Sequence, residues 1–289
     1  MRDAGSIGQA ASRASEDDYV YWTGCAANYD ARIAAVVKAT TRVLRAAGLR
    51  LRFLGEEEVC SGDAARRLGE EGLFQQLALQ NIETLRRHGA TRIVTHCAHC
   101  FHVLRNEYPR FGGEFEVTHH AELIARLVAE GRVRLKGGTA SSVTLHDSCY
   151  VGRYNRIFDA PRTALRAVHG DRMREMPRHR TESFCCGAGG ANYWYDVPKV
   201  EPAGVQRVRE ALSTGARVLA AECPFCIKML EQGAQVGDPA GRLVVKDIAE
   251  IVAEGLDESE TDDRAGDRHS EEADAEDGAA TSRADGVIP

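Results

Sequence analysis

Phe184-Cys185-Cys186-Gly187-Ala188-Gly189-Gly190 sets two adjacent cysteines before a run of small residues, with Cys149 upstream and Cys223-Pro224-Phe225-Cys226 downstream. The same order occurs earlier as Cys25, then Cys60-Ser61-Gly62, then Cys97-Ala98-His99-Cys100. Matching cysteines are offset by 124, 125 and 126 residues, and all nine cysteines of the chain fall in the pattern. A duplication this regular means that each half gathers distant thiolates around one centre.

Three chemistries compete for such thiolates. A Cys-x-x-Cys pair brings two sulfurs to one point from a single turn, which suits zinc or an iron–sulfur cluster. Disulfides need an oxidising compartment. The N-terminal residues carry no apolar core for a signal peptide, and no apolar run reaches the length of a membrane span. The chain is therefore expected in the cytoplasm, with any membrane association supplied by a partner. Zinc would be satisfied by the four cysteines of the first copy. The second copy has five, and adjacent cysteines fit poorly around one small tetrahedral ion but reach different irons of a larger cluster. Gly187, Gly189 and Gly190 let bare backbone approach sulfide and donate N–H groups to it. Iron–sulfur is the better reading.

At these residues the chain resembles the cysteine-rich CCG-domain family, typified by the B and D subunits of heterodisulfide reductase. The resemblance covers about residues 19–256. It is strongest in the stretch from His146 to Asn155 and in that from Phe184 to Gly190. It implies that Cys149, Cys185, Cys186, Cys223 and Cys226 hold a noncubane [4Fe-4S] cluster. The first copy departs from the family pattern, since Ser61 stands where the second cysteine of the pair would be. Cys25, Cys60, Cys97 and Cys100 remain, enough for a cubane [4Fe-4S] cluster.

The fold class expected is α/β, two pseudo-repeated parallel cysteine-rich domains facing each other. The first spans residues 18–138 and the second 139–256, between a disordered N-terminus, 1–17, and an acidic disordered tail, 257–289. That tail carries a net charge of −9 within a chain of −6, which leaves a slightly basic body. In the first half, Tyr19–Trp22, Leu51–Leu54 and Thr91–Thr95 read as strands. Asp30 caps a helix bearing Ile33, Val36, Val37, Val43 and Leu44 at helical spacing, and Leu73–Arg87 is another helix. In the second half, Val143–Leu145 and Arg217–Ala221 are strands delivering Cys149 and Cys223. Ala121-Glu122-Leu123 and Ala249-Glu250-Ile251 open matching terminal helices. Strand–helix alternation argues for parallel units, with ligands at the C-terminal ends of strands.

Other residues invite functional readings. His96, His99 and His102 crowd the first Cys-x-x-Cys, and His99 is the one whose counterpart, Phe225, is apolar. An imidazole there raises a cluster's potential or couples electron to proton transfer. Arg153, Arg156, Arg162, Arg166, Arg172, Arg174, Arg178 and Arg180 read first as a solvated helix face and second as a docking surface for an acidic redox partner. No nucleic-acid motif accompanies them. Tyr150, Tyr154, Tyr193, Trp194 and Tyr195 pack around the second motif or line a quinone or thiol pocket.

No dinucleotide or flavin motif and no ferredoxin-type cysteine run is present, so electrons come from a separate ferredoxin-like or flavoprotein subunit. The function expected is that of an iron–sulfur oxidoreductase subunit. It passes electrons through the first centre to a small-molecule disulfide or quinone acceptor at the second, and has no transmembrane segment of its own. The alternatives are a pure electron-transfer module and a zinc-stapled scaffold.

Overall fold

The computed structural model describes residues 15–136, 140–195 and 201–257. The expected boundary near residue 138, the acidic tail after Asp257 and the first fourteen residues lie outside them.

Central strands buried on both faces read as unbroken apolar runs, and β1 (Asp18–Trp22) is one, buried from Tyr19 to Trp22. A one-turn helix, α1 (Ala26–Tyr29), leads into α2 (Ala31–Ala46). Asp30 caps α2 by accepting from Arg32 N–H, and Ile33, Val36, Val43 and Leu44 form its buried stripe. The chain continues through β2 (Arg50–Arg52), α3 (Asp63–Arg67), α4 (Glu71–Arg87), β3 (Arg92–Thr95), α5 (Ala98–Asn106), β4 (Glu116–His119) and α6 (His120–Ala129). The second half follows with β5 (Val143–Leu145), α7 (Asp159–His169), β6 (Met173–Arg174), α8 (Ala203–Ser213), β7 (Val218–Ala221), α9 (Pro224–Gly237), β8 (Val244–Asp247) and α10 (Ile248–Glu254).

The strands form two parallel four-stranded sheets, ordered β2-β1-β3-β4 and β6-β5-β7-β8, one topology used twice. The edge strands β4 and β8 even share the same alternation of exposed and buried residues. In each sheet the chain leaves the first strand toward one edge and the third toward the other. Their C-terminal ends therefore flank a crevice where parallel sheets place ligands. Cys25 follows β1 and Cys97 follows β3, while Cys149 follows β5 and Cys223 follows β7.

The halves are joined by side chains. One apolar core runs through α2, α6, α7 and α10, with Leu44, Leu123, Leu165 and Val252 in it. Arg32 of α2 pairs with Glu231 and Glu250 at 2.6 and 2.7 Å. His120 Nε2 meets Asp247 Oδ1 at 2.8 Å, both side chains fully buried. The described residues up to Leu256 form a single compact unit. No helix among the described residues is long and apolar enough to cross a membrane.

Candidate functional site

All nine cysteines are free thiols, and the structure gathers them into two adjoining sets. In the first, Cys25 Sγ lies 4.0 Å from Cys60 Sγ, and Cys97 Sγ accepts from Cys100 N–H at the start of α5. Ser61 is buried and its Oγ lies 3.4 Å from Cys100 Sγ. Gly62 adopts φ +90°, a left-handed conformation that turns its N–H back onto Cys60 Sγ at 3.4 Å. A hydrogen bond from Cys25 lowers Cys60 to about 6, so this set is poised to hold thiolate. Glu58 braces the loop ahead of Cys25 by accepting from Thr23 and Gly24 N–H, and burial pushes its carboxyl up to about 7.

The second set repeats this geometry. Gly187, at φ +97°, returns its N–H to Cys185 Sγ at 3.3 Å. Cys186 Sγ lies 3.3 Å from Cys226 Sγ, and Cys149 sits beside Cys185. Hydrogen bonds from Cys149 and Cys186 hold Cys185 far below an ordinary thiol. Cys223 is also held well below it: its burial works the other way but is outweighed by contacts with Cys226, Cys97 and His99. That contact between Cys97 and Cys223 makes the two sets neighbours.

Around the first set lies a cavity of about 80 Å³, lined by Cys25, Cys60, Cys97 and Cys100. The second half closes it with Ala188, Ala191, Tyr193, Trp194 and Phe225, so each half completes a wall of the cavity. Trp194 and Tyr195 are mostly exposed, and the Trp194 ring stands edge-on to Tyr193, 4.9 Å between centroids. Tyr150 and Tyr154 instead pack against His102, the first tilted and the second edge-on.

Several residues act in ways the sequence did not signal. Arg162 is fully buried and spans Asp147 and Glu175, at 2.7 and 2.6 Å, so it is no part of a solvated face. Arg178 pairs with Glu210 and Arg180 with Asp159. Arg153, Arg156, Arg166, Arg172, Arg174 and Arg178 are exposed, so the run is a solvated face from which Arg162 alone turns inward as a brace. Its corrected role follows from Asp147, whose carboxylate takes Arg162 and the Arg180 N–H while its carbonyl accepts from Ser183 Oγ, tying the Cys149 loop to the Cys185 loop. Arg207, also fully buried, donates Nε–H to His146 Nδ1 at 3.1 Å. That bond fixes the neutral tautomer with the proton on Nε2. His146 stays uncharged because burial and the neighbouring Arg207 push it down to about 3. One of its ring nitrogens and the sulfurs of Cys186 and Cys226 all lie within 4.8 Å of one another.

The donor set fits thiolate-held iron better than its rivals. The 3.3 Å between Cys186 and Cys226 is well beyond a disulfide bond. The five thiols of the second set exceed the four of a closed zinc site. Left-handed glycines aim N–H groups at sulfur in both sets, as cluster sites require.

Comparison with known proteins agrees. The model of the cysteine-rich domain, CCG, matches residues 19–105 and again 143–231. The EtfAB:quinone oxidoreductase of Syntrophomonas wolfei is 36% identical over 249 residues, which is 84% of this chain and 35% of that protein. The probable iron-sulfur-binding oxidoreductase FadF of Bacillus subtilis is 37% identical over 241 residues, 83% of this chain and 34% of that one. The D polypeptide of the dihydromethanophenazine:CoB--CoM heterodisulfide reductase of Methanosarcina barkeri is 37% identical over 246 residues, 83% and 59% of the two chains. The chain thus spans about a third of the length of the first two relatives. A hypothetical protein from Helicobacter pylori shares the fold, with a TM-score of 0.53 at 12% identity over 88% of this chain and 52% of the other.

Proposed function

The chain belongs to the cysteine-rich CCG-domain family, and from that premise we propose that it is an iron–sulfur oxidoreductase subunit that relays electrons between two adjoining centres. Cys25, Cys60, Cys97 and Cys100 would hold a cubane [4Fe-4S] cluster. Cys149, Cys185, Cys186, Cys223 and Cys226 would hold a noncubane one. When bound, such clusters supply one-electron redox chemistry at potentials set by charge and hydrogen bonding. A ferredoxin-like or flavoprotein partner donates, and a small-molecule disulfide or quinone accepts.

The observation that carries this reading is the contact of Cys97 with Cys223, which brings a ligand of one set against a ligand of the other. Electrons then need cross no intervening protein layer. Around the sets the protein excludes water with Trp22, Phe101, Val151 and Ile227, all fully buried. The cavity supports an acceptor that approaches between the halves along Tyr193 and Trp194.

The test is anaerobic purification with iron and acid-labile sulfide assays. Two four-iron clusters require about eight of each per chain and two distinguishable paramagnetic signals on reduction. Stoichiometric zinc without sulfide would leave only the scaffold reading.

A further inference from the structure

Just before its leading cysteine, each half buries a ring nitrogen that has no hydrogen-bond partner. In the first half this is Nε1 of Trp22, ahead of Cys25, and in the second it is Nε2 of His146, at the same place ahead of Cys149. Both side chains are buried, and neither nitrogen is paired among the described residues. An indole nitrogen can only donate. An imidazole has a choice of tautomers, and the structure removes it.

Arg207 makes the choice. Its Nε–H donates to His146 Nδ1 at 3.1 Å, and a guanidinium nitrogen offers a proton but accepts none. Nδ1 therefore holds the lone pair, and the ring proton sits on Nε2. The guanidinium is fixed on its other sides. Nη1 donates to the Arg178 carbonyl at 2.8 Å and to Glu210 at 2.9 Å, and Nη2 lies 3.2 Å from Ser183 Oγ. The His146 backbone is held too, its N–H donating to the Ala220 carbonyl at 2.8 Å. A ring nitrogen of His146 and the sulfurs of Cys186 and Cys226 lie within 4.8 Å of one another. Ligating iron through Nε2 would require stripping its proton to leave an imidazolate. The ring is set as a donor, not as a sixth ligand.

We propose that His146 is a fixed N–H donor to the sulfur of the second centre, with Arg207 as the positioning residue that locks its tautomer, and that this raises the centre's midpoint potential. The inference rests on the two-centre reading above and involves no change of protonation. A buried N–H without an acceptor is costly, and the sulfurs of Cys186 and Cys226 are the acceptors beside this ring. An N–H directed at cluster sulfur stabilises the more negative, reduced state, so it favours the electron there. Arg207 thus gives a histidine the donor-only character that Trp22 has by its nature.

The experiment follows both centres of the intact chain by electron paramagnetic resonance in the wild type, H146F, H146Q and R207M, reading midpoint potentials and hyperfine couplings. The wild-type second centre should show a proton coupling that exchanges in deuterated water, and only weak coupling to histidine nitrogen. H146F should lose the exchangeable coupling and leave the first centre unmoved. At a fixed potential it should shift the second centre about tenfold toward oxidised, which is about 59 mV for one electron. H146Q restores an amide N–H and should recover much of both signals. R207M frees the ring to take either tautomer and should fall between the wild type and H146F. If H146F or R207M loses iron, the wild-type couplings decide alone. Strong histidine-nitrogen coupling would make His146 a ligand and overturn the proposal. So would an exchangeable coupling that survives in H146F, an unchanged potential, or equal shifts at both centres. A wild-type chain without acid-labile sulfide would instead overturn the two-centre reading, and this inference with it.

Discussion

Ser61 Oγ lies 3.4 Å from Cys100 Sγ, and its counterpart Cys186 Sγ lies 3.3 Å from Cys226 Sγ. The serine therefore keeps the position and the partner of the missing cysteine and offers a hydroxyl in place of a fifth thiolate. Ser61→Ala should leave the iron content unchanged and cost about 1 kcal/mol through the lost hydrogen bond. Ser61→Cys restores the full pattern and should give the first centre the paramagnetic signature of the second. Iron analysis and spectra of the two variants check both statements. If Ser61→Ala strips iron as Cys60→Ala does, the hydroxyl is itself a ligand.

Cys186→Ala removes the thiolate that separates the two sets in number. The second centre should lose its signal or change to that of a four-thiolate site, while the first keeps its own. Quantitative spectra at constant protein concentration distinguish this from general loss of clusters.

Gly62 and Gly187 each follow their motif with a positive φ, so alanine at either position is strained by roughly 1–2 kcal/mol. At Gly62 a Cβ would also lie 2.7 Å from the Phe74 ring, against 3.2 Å from Ala203 Cβ at Gly187. Gly62→Ala should therefore be the more damaging, by a further ~1–3 kcal/mol of overpacking. Denaturant midpoints and iron retention of the two variants give the ranking. The reverse order would show that the close approach of Phe74 is relieved cheaply.

Arg162→Met leaves Asp147 buried without its cation, and breaking such a pair costs about 3–5 kcal/mol. The loss should appear in the urea midpoint and, because Asp147 ties two cysteine loops together, in slower retention of the second cluster. Burial raises the Asp147 pKa, but Arg162 outweighs it and holds the carboxyl below its usual value. A depressed carboxyl contributes stability that is present above its unfolded value of about 4 and is lost as pH falls through the folded one. The gap between wild type and Arg162→Met should therefore be constant near neutrality and narrow on acidification below about pH 4. A gap that widens in acid would show that Asp147 is not the partner that matters.

The sequence by itself determined the duplication, the α/β alternation and the nine cysteines, because these are local signals. Strands such as Tyr19–Trp22 and Val143–Leu145 are short apolar runs, the caps and helices follow spacing within a few residues, and a cysteine pattern is legible without a fold. Its errors were local too. Leu51–Leu54 is strand only as far as Arg52, since the chain bends into a helical turn at Gly55. β4, β6 and β8 passed unread because strands of two to four residues with partly exposed faces carry little periodicity. Only the tertiary structure decided that Arg162 and Arg207 are internal, that Asp63 and His99 are partners, and that Cys97 meets Cys223. Those facts depend on residues tens to more than a hundred positions apart coming together. Burial of an arginine is stable only when a carboxylate or backbone carbonyl from another segment arrives to meet it, and no local pattern reports that arrival.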